Sequence, residues 1–352
     1  MAQIMTPPAD TFRLGTFSVA GCRPFAGLVL GECVIALRAL QGALPGVATD
    51  FPPCDTMEAL LRDWSRNFEL LQQVVQTLSS GAAPELLRLF VPVSQLTVHA
   101  PVPSGGTVFC TGANYKRHVI DLIIAHQDQS ELQGMTAEQK RAWGMELMER
   151  RAQTGTPFIF VKPRSSVCGP CDPVVVPYDA TKPDWELELA VVIGRRARRV
   201  MRDRALEYVA GYTIVNDITL REKVFRRRDD SPELGMDFVV SKGAPSFLPT
   251  GPYLVPAAFV RDPQQLHVTL KLNGKVMQDE NTSDMIFGVA RLIEYISATV
   301  ELQPGDLICT GSPAGNGMHY GRFIQHGDLL EGTISGLGTQ RTPCVLERKR
   351  SL

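Results

Sequence analysis

One short segment carries two carboxylates into an otherwise apolar run, and it constrains the fold more than any other part of the chain. Residues 184–194 read DWELELAVVIG, and their length, their β-branched end and the closing glycine predict a β-strand. Because side chains alternate along a strand, one face receives Leu187, Leu189, Val191 and Ile193, and the other receives Glu186, Glu188, Ala190 and Val192.

The two glutamates of this segment are neighbours on one face, about 7 Å apart along a strand that rises ~3.3 Å per residue. Two like charges on a half-buried face are unfavourable unless a cation joins them or one takes a proton. The functional interpretation is a divalent metal site at Glu186 and Glu188. The alternative is an exposed strand face that happens to carry two glutamates, and the strand alone does not decide between them.

Length and composition limit the class of protein. A chain of 352 residues with 44% hydrophobic and 21% charged residues is long enough for two globular domains, which we place at 1–100 and 101–352. The net charge of -1 implies no polyanionic partner, and acidic residues flank the arginine runs at 195–199 and 226–228. We therefore expect no nucleic-acid binding.

Two further features bear on location. No apolar run reaches the ~18 residues that a membrane span needs, so we expect no membrane partner. Eight cysteines are scattered along the chain, which favours a reducing, cytoplasmic setting. Cys168 and Cys171 form a CGPC motif, but a proline and the strand 174–176 follow at once, so we predict a turn and not a redox site.

Residues 1–100 are predicted to form a smaller α/β unit of unknown role. Apolar runs at 27–30 and 33–37 predict a hairpin, and the i, i+3, i+4 spacing over 55–78 predicts a helix. Asp55 is the expected N-cap of this helix and Gly81 its stop. A linker rich in proline and glycine is expected at 98–106.

A histidine and an aspartate lie three residues apart in a polar stretch of helical composition that runs from 118 to 151. On a helix, His118 and Asp121 share one face, and a carboxylate can orient an imidazole and raise its basicity. This pair is a candidate general base. The alternative, a solvated surface pair, is favoured by the spacing alone.

Three later positions end predicted strands. Asp217 follows the strand 211–217 and is a candidate third oxygen ligand, although an Asx turn or helix N-cap is the alternative. Lys242 ends a predicted strand over 239–243. The turn at 311–317 lacks the Lys-Ser/Thr of a P-loop, so we expect its backbone N–H groups to bind an anionic oxygen and not a nucleotide.

Several of these segments, in their order, make residues 108–346 resemble the fumarylacetoacetate hydrolase family. The segments that carry the resemblance are 112–115 with His118, 160–163, 185–194, 211–217, Lys242, 273–274, 310–313 and 327–328.

The resemblance implies a fold that is α+β and mainly β, a mixed β-sheet roll, usually in a homodimer. It implies a divalent cation, Mg²⁺ or Mn²⁺, held by acids that match Glu186, Glu188 and Asp217. The implied substrate is a small oxo acid that binds near Tyr115, Lys242, Arg221, Thr310, Gly311 and Ser312.

The resemblance also implies a mechanism, in which His118 with Asp121 activates water when a helical lid at 118–155 closes. The expected reaction is hydrolysis of a C–C bond in a 1,3-diketo or acylpyruvate-type acid. A decarboxylase, isomerase or lyase that acts on a 2-oxo acid through a metal-stabilised enolate is the alternative, and a non-enzymatic binding protein is a third. Asp121 stands where short family members usually have glutamate. The sequence therefore identifies the metal ligands better than it identifies the reaction.

Overall fold

The computed structural model describes residues 11–40, 54–103, 105–125, 134–225 and 235–348. The strands are β1 (Arg13–Ser18), β2 (Phe25–Leu30), β3 (Cys33–Ala36), β4 (Val91–Pro92), β5 (Thr97–His99), β6 (Val108–Gly112), β7 (Phe158–Lys162), β8 (Val167–Cys168), β9 (Val174–Val176), β10 (Pro183–Asp184), β11 (Leu187–Ile193), β12 (Val209–Asn216), β13 (Thr219–Leu220), β14 (Leu248–Pro249), β15 (Val255–Pro256), β16 (His267–Leu272), β17 (Lys275–Asn281), β18 (Leu307–Cys309), β19 (Leu329–Ile334) and β20 (Gly338–Leu346). The α-helices are α1 (Met57–Leu61), α2 (Trp64–Ser79), α3 (Pro84–Leu87), α4 (Lys116–Ala125), α5 (Ala137–Thr154), α6 (Phe238–Lys242), α7 (Val289–Thr299) and α8 (Gly317–Tyr320).

Two mixed sheets pack together in the larger part of the chain. Among the described residues, one sheet has the order β15-β12-β11-β18-β6-β7 and the other the order β17-β16-β19-β20-β9. β11 pairs antiparallel with β12 and β18, whereas β18 pairs parallel with β6. At Gly332 of β19, an added Cβ would lie 2.3 Å from Leu187 Cδ1, so the sheets are in close contact there. The predicted fold class, α+β and mainly β, is confirmed.

Both faces of β11 are buried. Leu187, Leu189, Val191 and Ile193 enter the core that the second sheet covers, while Ala190 and Val192 enter the core that the N-terminal region covers. The predicted alternation is therefore correct, but neither face meets solvent. Glu186 lies just before the strand, which begins at Leu187.

The N-terminal region adds a sheet of the order β4-β3-β2-β1-β5, as the described residues define it, and includes the predicted hairpin of β2 and β3. Its Met57 and Trp64 share a hydrophobic core with Val192 and Cys309 of the large mixed sheet. The division of the chain at residue 100 remains a prediction. This core shows direct packing across that division.

The single helix predicted over 55–78 is wrong, because the chain forms α1 and α2 with a break between them. The N-cap is Thr56, whose hydroxyl accepts a hydrogen bond from Ala59 N, and not Asp55. The buried amide of Asn67 donates to Leu60 O at 2.7 Å and stabilises the break. Both helices bury apolar residues in the same core, so the apolar spacing continues across the break and conceals it.

Lys242 ends a helix, and the strand predicted over 239–243 is also wrong. The β-branched pair Val239 and Val240 favours a strand by propensity. The Asp237 carboxylate instead caps α6 by accepting a hydrogen bond from Val240 N at 3.1 Å, and Phe238 stacks on Phe160 with ring centroids 4.2 Å apart. Tertiary contacts therefore override the local preference.

Two further expectations on local structure hold where the structure describes them, whereas the linker expected at 98–106 begins inside β5. The helical composition after residue 118 corresponds to α4 and α5, while 126–133, within the expected lid, lies outside the described residues. The CGPC segment forms a turn between β8 and β9, and burial raises the pKa of the Cys168 thiol to about 12.

Two further observations concern surfaces. The arginines of the run 195–199 are exposed, as expected, and the run 226–228 lies outside the described residues. Among the described helices, none has the length and apolar character that a membrane crossing requires.

Candidate metal centre

Three buried carboxylates meet where β11 begins and β12 ends. The antiparallel pair Leu187 and Asn216 places these two strand ends side by side. Glu186, Glu188 and Asp217 are 8%, 2% and 1% exposed, and each offers an oxygen within 4.8 Å of the others. The structure therefore brings together the three acids that were predicted as metal ligands.

Backbone and amide groups position the three acids. Asp217 N donates to Glu186 O at 2.8 Å, and Glu186 N donates to Asn216 Oδ1 at 2.8 Å. The side chain of Glu188 accepts a hydrogen bond from Gly311 N at 2.8 Å. The predicted anion-binding N–H of the glycine turn therefore binds an anionic oxygen of the protein itself.

Two lysines neutralise part of this charge. Lys242 Nζ donates to Glu186 Oε2 at 2.7 Å, to Asp217 Oδ2 at 2.5 Å and to Thr219 Oγ1 at 2.7 Å. Lys162 Nζ donates to Asp217 Oδ1 at 2.5 Å and to Phe247 O at 2.6 Å. Sequence reasoning assigned no role to Lys162, although it lies in one of the segments that carry the family resemblance.

Arg221 links the centre to a fourth carboxylate that sequence reasoning missed. Its Nε donates to Asp184 Oδ2 at 2.7 Å, and its terminal nitrogen donates to Glu186 Oε1 at 2.5 Å. Asp184 is wholly buried and also accepts hydrogen bonds from Gly317 N and Met318 N. No pattern in the sequence marks Asp184, because its partners lie 37 and about 133 positions away.

The electrostatics of the centre favour a bound cation. Burial alone would raise the pKa of Glu186, but Arg221 and Lys242 together lower it. Burial raises the pKa of Glu188 well above its usual range, and the charges of Asp217 and Glu186 raise it further. Of the three acids, Glu188 has no ion pair with a lysine or arginine among the described residues. A divalent cation would supply the missing charge, since carboxylate oxygens are its preferred ligands.

Tyr115 adds a buried hydroxyl group beside the carboxylates. The side chain is 0% exposed, and its oxygen has no hydrogen-bond partner among the described residues. Burial raises the pKa of this phenol, and the charge of Glu188 raises it further. An unpaired buried hydroxyl is costly, so Tyr115 suits a site that receives a ligand oxygen.

The other predicted substrate contacts also lie at this centre, but protein groups already use their polar atoms. The hydroxyl of Thr310 donates to Leu189 O at 2.8 Å. Ser312 Oγ accepts a hydrogen bond from the buried amide of Gln278 at 3.0 Å. Their roles in substrate binding remain predictions.

His118 lies on α4, within electrostatic range of the centre. Burial lowers the pKa of its imidazole to about 4, Glu186 and Asp121 raise that pKa, and Arg221 lowers it. Within the described residues, no side-chain hydrogen bond joins His118 to Asp121. The Asp121 carboxylate instead has His319 Nδ1 at 3.9 Å. The predicted pairing of His118 with Asp121 remains a prediction.

Comparison with known proteins identifies the family. Residues 107–345 match the profile described as fumarylacetoacetate (FAA) hydrolase C-terminal. The chain belongs to the fumarylacetoacetate hydrolase family. The three acids at the centre, Lys242 and Arg221 therefore lie within the part of the chain that defines this enzyme family.

Named relatives in the fumarylacetoacetate hydrolase family include hydrolases and isomerases. The chain is 36% identical, over 270 residues, to a 2,4-didehydro-3-deoxy-L-rhamnonate hydrolase of Sphingomonas sp. (strain SKA58), which covers 76% of this chain and 83% of that protein. A maleylpyruvate hydrolase from Sphingobium sp. SYK-6, solved with manganese(II) and pyruvate, superposes with a TM-score of 0.66 at 27% identity. A probable 2-hydroxyhepta-2,4-diene-1,7-dioate isomerase from Mycobacterium abscessus superposes with a TM-score of 0.65 at 27% identity. Each superposition covers 96% of this chain and 100% of the other.

Proposed function

We propose that this protein is a hydrolase that uses a divalent cation, Mg²⁺ or Mn²⁺, to cleave a C–C bond in a 1,3-diketo or acylpyruvate-type acid. The observation that carries the proposal is the convergence of Glu186, Glu188 and Asp217 within 4.8 Å, in a buried centre whose charge the protein only partly balances. The maleylpyruvate hydrolase solved with manganese(II) and pyruvate supports this choice of metal and substrate class.

The charged residues of the chain suit such a substrate. Glu186, Glu188 and Asp217 would hold the cation, which when bound supplies Lewis-acid polarisation of a substrate carbonyl. Lys242 and Arg221 keep the Glu186 carboxylate ionised, since each donates a hydrogen bond to it. Their positive charge also attracts an anionic oxo acid.

His118 is the proposed base. Its lowered pKa, about 4, keeps the imidazole neutral at physiological pH and able to accept a proton. In the proposed reaction His118 takes a proton from water, and the hydroxide adds to the distal carbonyl of the substrate. The C–C bond then breaks, and the proton on His118 returns to the carbon that leaves.

The alternative is a decarboxylase, isomerase or lyase that acts on a 2-oxo acid at the same centre. The likeness to a probable isomerase from Mycobacterium abscessus favours it. The two reactions differ in the attacking water, which only hydrolysis requires.

A metal-dependent activity screen with a His118→Ala variant tests the proposal. The purified protein is assayed on acylpyruvates and on oxaloacetate, with Mg²⁺, with Mn²⁺ and after chelation. We expect acylpyruvate cleavage that requires metal and falls about 10²- to 10⁴-fold in His118→Ala, the usual contribution of a general base. His267→Ala is the matched control, because it removes an exposed His–Asp pair between β16 and β17. Metal-dependent turnover of oxaloacetate alone, unchanged in His118→Ala, would favour the alternative.

Assembly is a second proposal: two copies form a homodimer through the outer surface of α6 and β7. Val161, Val239 and Val240 are 52%, 66% and 53% exposed there, beside the exposed Phe158. β7 is the edge strand of its sheet, and an apolar edge favours covering by another chain. A two-fold contact presents the same patch on both partners, so one apolar surface suffices.

Light scattering tests the dimer. We expect a dimeric mass for the wild type, a monomeric mass for Val240→Asp, and a dimeric mass for Met201→Asp, which places the same charge on another exposed apolar site. A monomeric wild type would refute the proposal.

The cytoplasmic location also remains a prediction, which cell fractionation would test.

A further inference from the structure

Helix α8 presents a second imidazole to α4. His319 Nδ1 lies 3.9 Å from Asp121 Oδ2, and its ring meets Tyr320 edge-on, with centroids 4.8 Å apart. Both partners are partly exposed, at 47% for the His319 side chain and 32% for that of Asp121. This contact links two elements that lie about 200 residues apart in the chain.

The start of α8 is fixed to the carboxylate centre. Gly317 N and Met318 N donate to the Asp184 carboxylate at 2.5 and 3.2 Å. The same carboxylate binds Arg221, whose guanidinium also binds Glu186. These contacts join mostly buried charged groups, so α8 has a defined position relative to the proposed metal ligands.

The end of α8 is fixed as well. The Tyr320 hydroxyl donates to Met277 O at 2.8 Å, and Arg322 N donates to Gly317 O at 3.0 Å. Gly321 ends the helix with a φ of 62°, a left-handed conformation that glycine adopts without strain. His319 therefore extends from a short element that is anchored on both sides.

Helix α4 is held elsewhere by other contacts. Arg117 N donates to Asp284 Oδ2 at 3.0 Å, and Ile120 packs against α5, where an added Cβ on Gly144 would lie 3.0 Å from it. Neither contact involves a residue of α8. Asp121, three residues after His118, is the described α4 side chain that has an ionic contact with α8.

We propose that His319 is a positioning residue, which docks α4 against α8 by pairing with Asp121 and thereby sets the place of His118 over the carboxylate centre. The proposal rests on the proposed function in one respect, the role of His118 as the base. It assigns Asp121 a partner other than His118. It also makes α8 the element that sets the position of α4, the helix that carries His118.

Hydrogen exchange measures the docking without any substrate. The full chain is loaded with Mn²⁺, and amide exchange is followed in peptides that cover 116–121. We expect exchange to rise about two- to fivefold in His319→Ala, the factor that a partly exposed polar contact contributes. His267→Ala, which removes the exposed pair with Asp279, is expected to leave this exchange unchanged. Equal exchange in the wild type and His319→Ala would overturn the proposal.

Kinetics separate positioning from general stability. With an acylpyruvate substrate, we expect kcat to fall about tenfold in His319→Ala, because small displacements of a reacting group are costly, while KM stays within about twofold. His319→Asn, whose amide nitrogen takes the place of Nδ1, should recover most of kcat, and His319→Gln, whose amide lies one methylene further out, should not. Equal kcat values for the alanine and asparagine variants would overturn the proposal.

The two failures remain distinguishable. If the wild type turns over no acylpyruvate, the proposed function fails, whereas the exchange measurement still decides whether His319 docks α4.

Discussion

The carboxylate centre and helix α4 hold their polar groups in different ways. In the centre, Glu188 and Asp217 are almost fully buried and are bound by a backbone N–H and by two lysines respectively. On α4, Asp121 is one-third exposed, and its ionic contact is 3.9 Å long. His118 lies on the same helix, and both Glu186 of the centre and Asp121 of α4 raise the pKa of its imidazole.

The difference matches two separate tasks, cation binding by the sheet and proton transfer by a residue of the helix. Groups on the interior strands of a sheet are held by paired backbones and buried charges, which suits a cation that needs a fixed set of oxygens. A helix with few polar contacts can change position more easily, which suits a base that must meet water and substrate in turn. Three measurements test this difference between the two regions.

The largest effect is expected from Glu188→Gln. The glutamine oxygen can still accept the hydrogen bond from Gly311 N, but the negative charge is lost. We expect Mn²⁺ affinity, measured by titration calorimetry, to fall about a hundredfold or more, and metal-dependent turnover to fall with it. Glu207→Gln, in an exposed pair with Arg204, is the control. Unchanged Mn²⁺ affinity in Glu188→Gln would contradict the role of Glu188 as a metal ligand.

A smaller effect, on stability, is expected from Lys162→Met. The change leaves Asp217 with one lysine fewer and removes one of the two donors to Phe247 O, both in a buried setting. We expect the free energy of unfolding in urea to fall by about 3–5 kcal/mol, as for other broken buried ion pairs. In Lys223→Met, which breaks an exposed pair with Asp179, the expected loss is about 0.5 kcal/mol or less. Similar losses in the two variants would mean that the buried ion pair of the centre stabilises the fold no more than the exposed pair does.

The smallest effect is the pH dependence that His118 contributes. The pKa of His118 is lowered to about 4 in the folded state, so between its ordinary value of 6.5 and that value only the unfolded chain gains the proton. The contribution of neutral His118 to the free energy of unfolding is therefore fully present above pH 6.5, and it is lost as the pH falls below that value. We expect wild type to lose about 1 kcal/mol more than His118→Gln between pH 7 and pH 5, after allowance for partial exposure. Parallel losses would show that α4 leaves His118 as accessible to water as an unfolded chain does.

Much of the fold and of the metal centre was predictable from local pattern. Alternation along 187–193 correctly predicted that four apolar side chains enter one core. The predicted strand boundaries also placed Glu186 and Glu188 at the start of β11 and Asp217 at the end of β12. Local pattern failed where an N-cap and a contact with a distant residue outweigh the intrinsic propensity. The Val239–Val240 pair suggested a strand until the Asp237 cap and the Phe160 stack selected a helix.

The apolar alternation of β11, the two glutamates at its start and Asp217 at the end of β12 could be predicted from the sequence, because each depends on neighbours within a few residues. Tertiary packing was needed to bring Lys162 and Lys242 to the Asp217 carboxylate, to join Asp184 with both Arg221 and α8, and to place His319 opposite Asp121. These contacts join residues 25 to about 200 positions apart. Burial, which sets the strength of every charge in the site, arises only when the sheets and helices pack together.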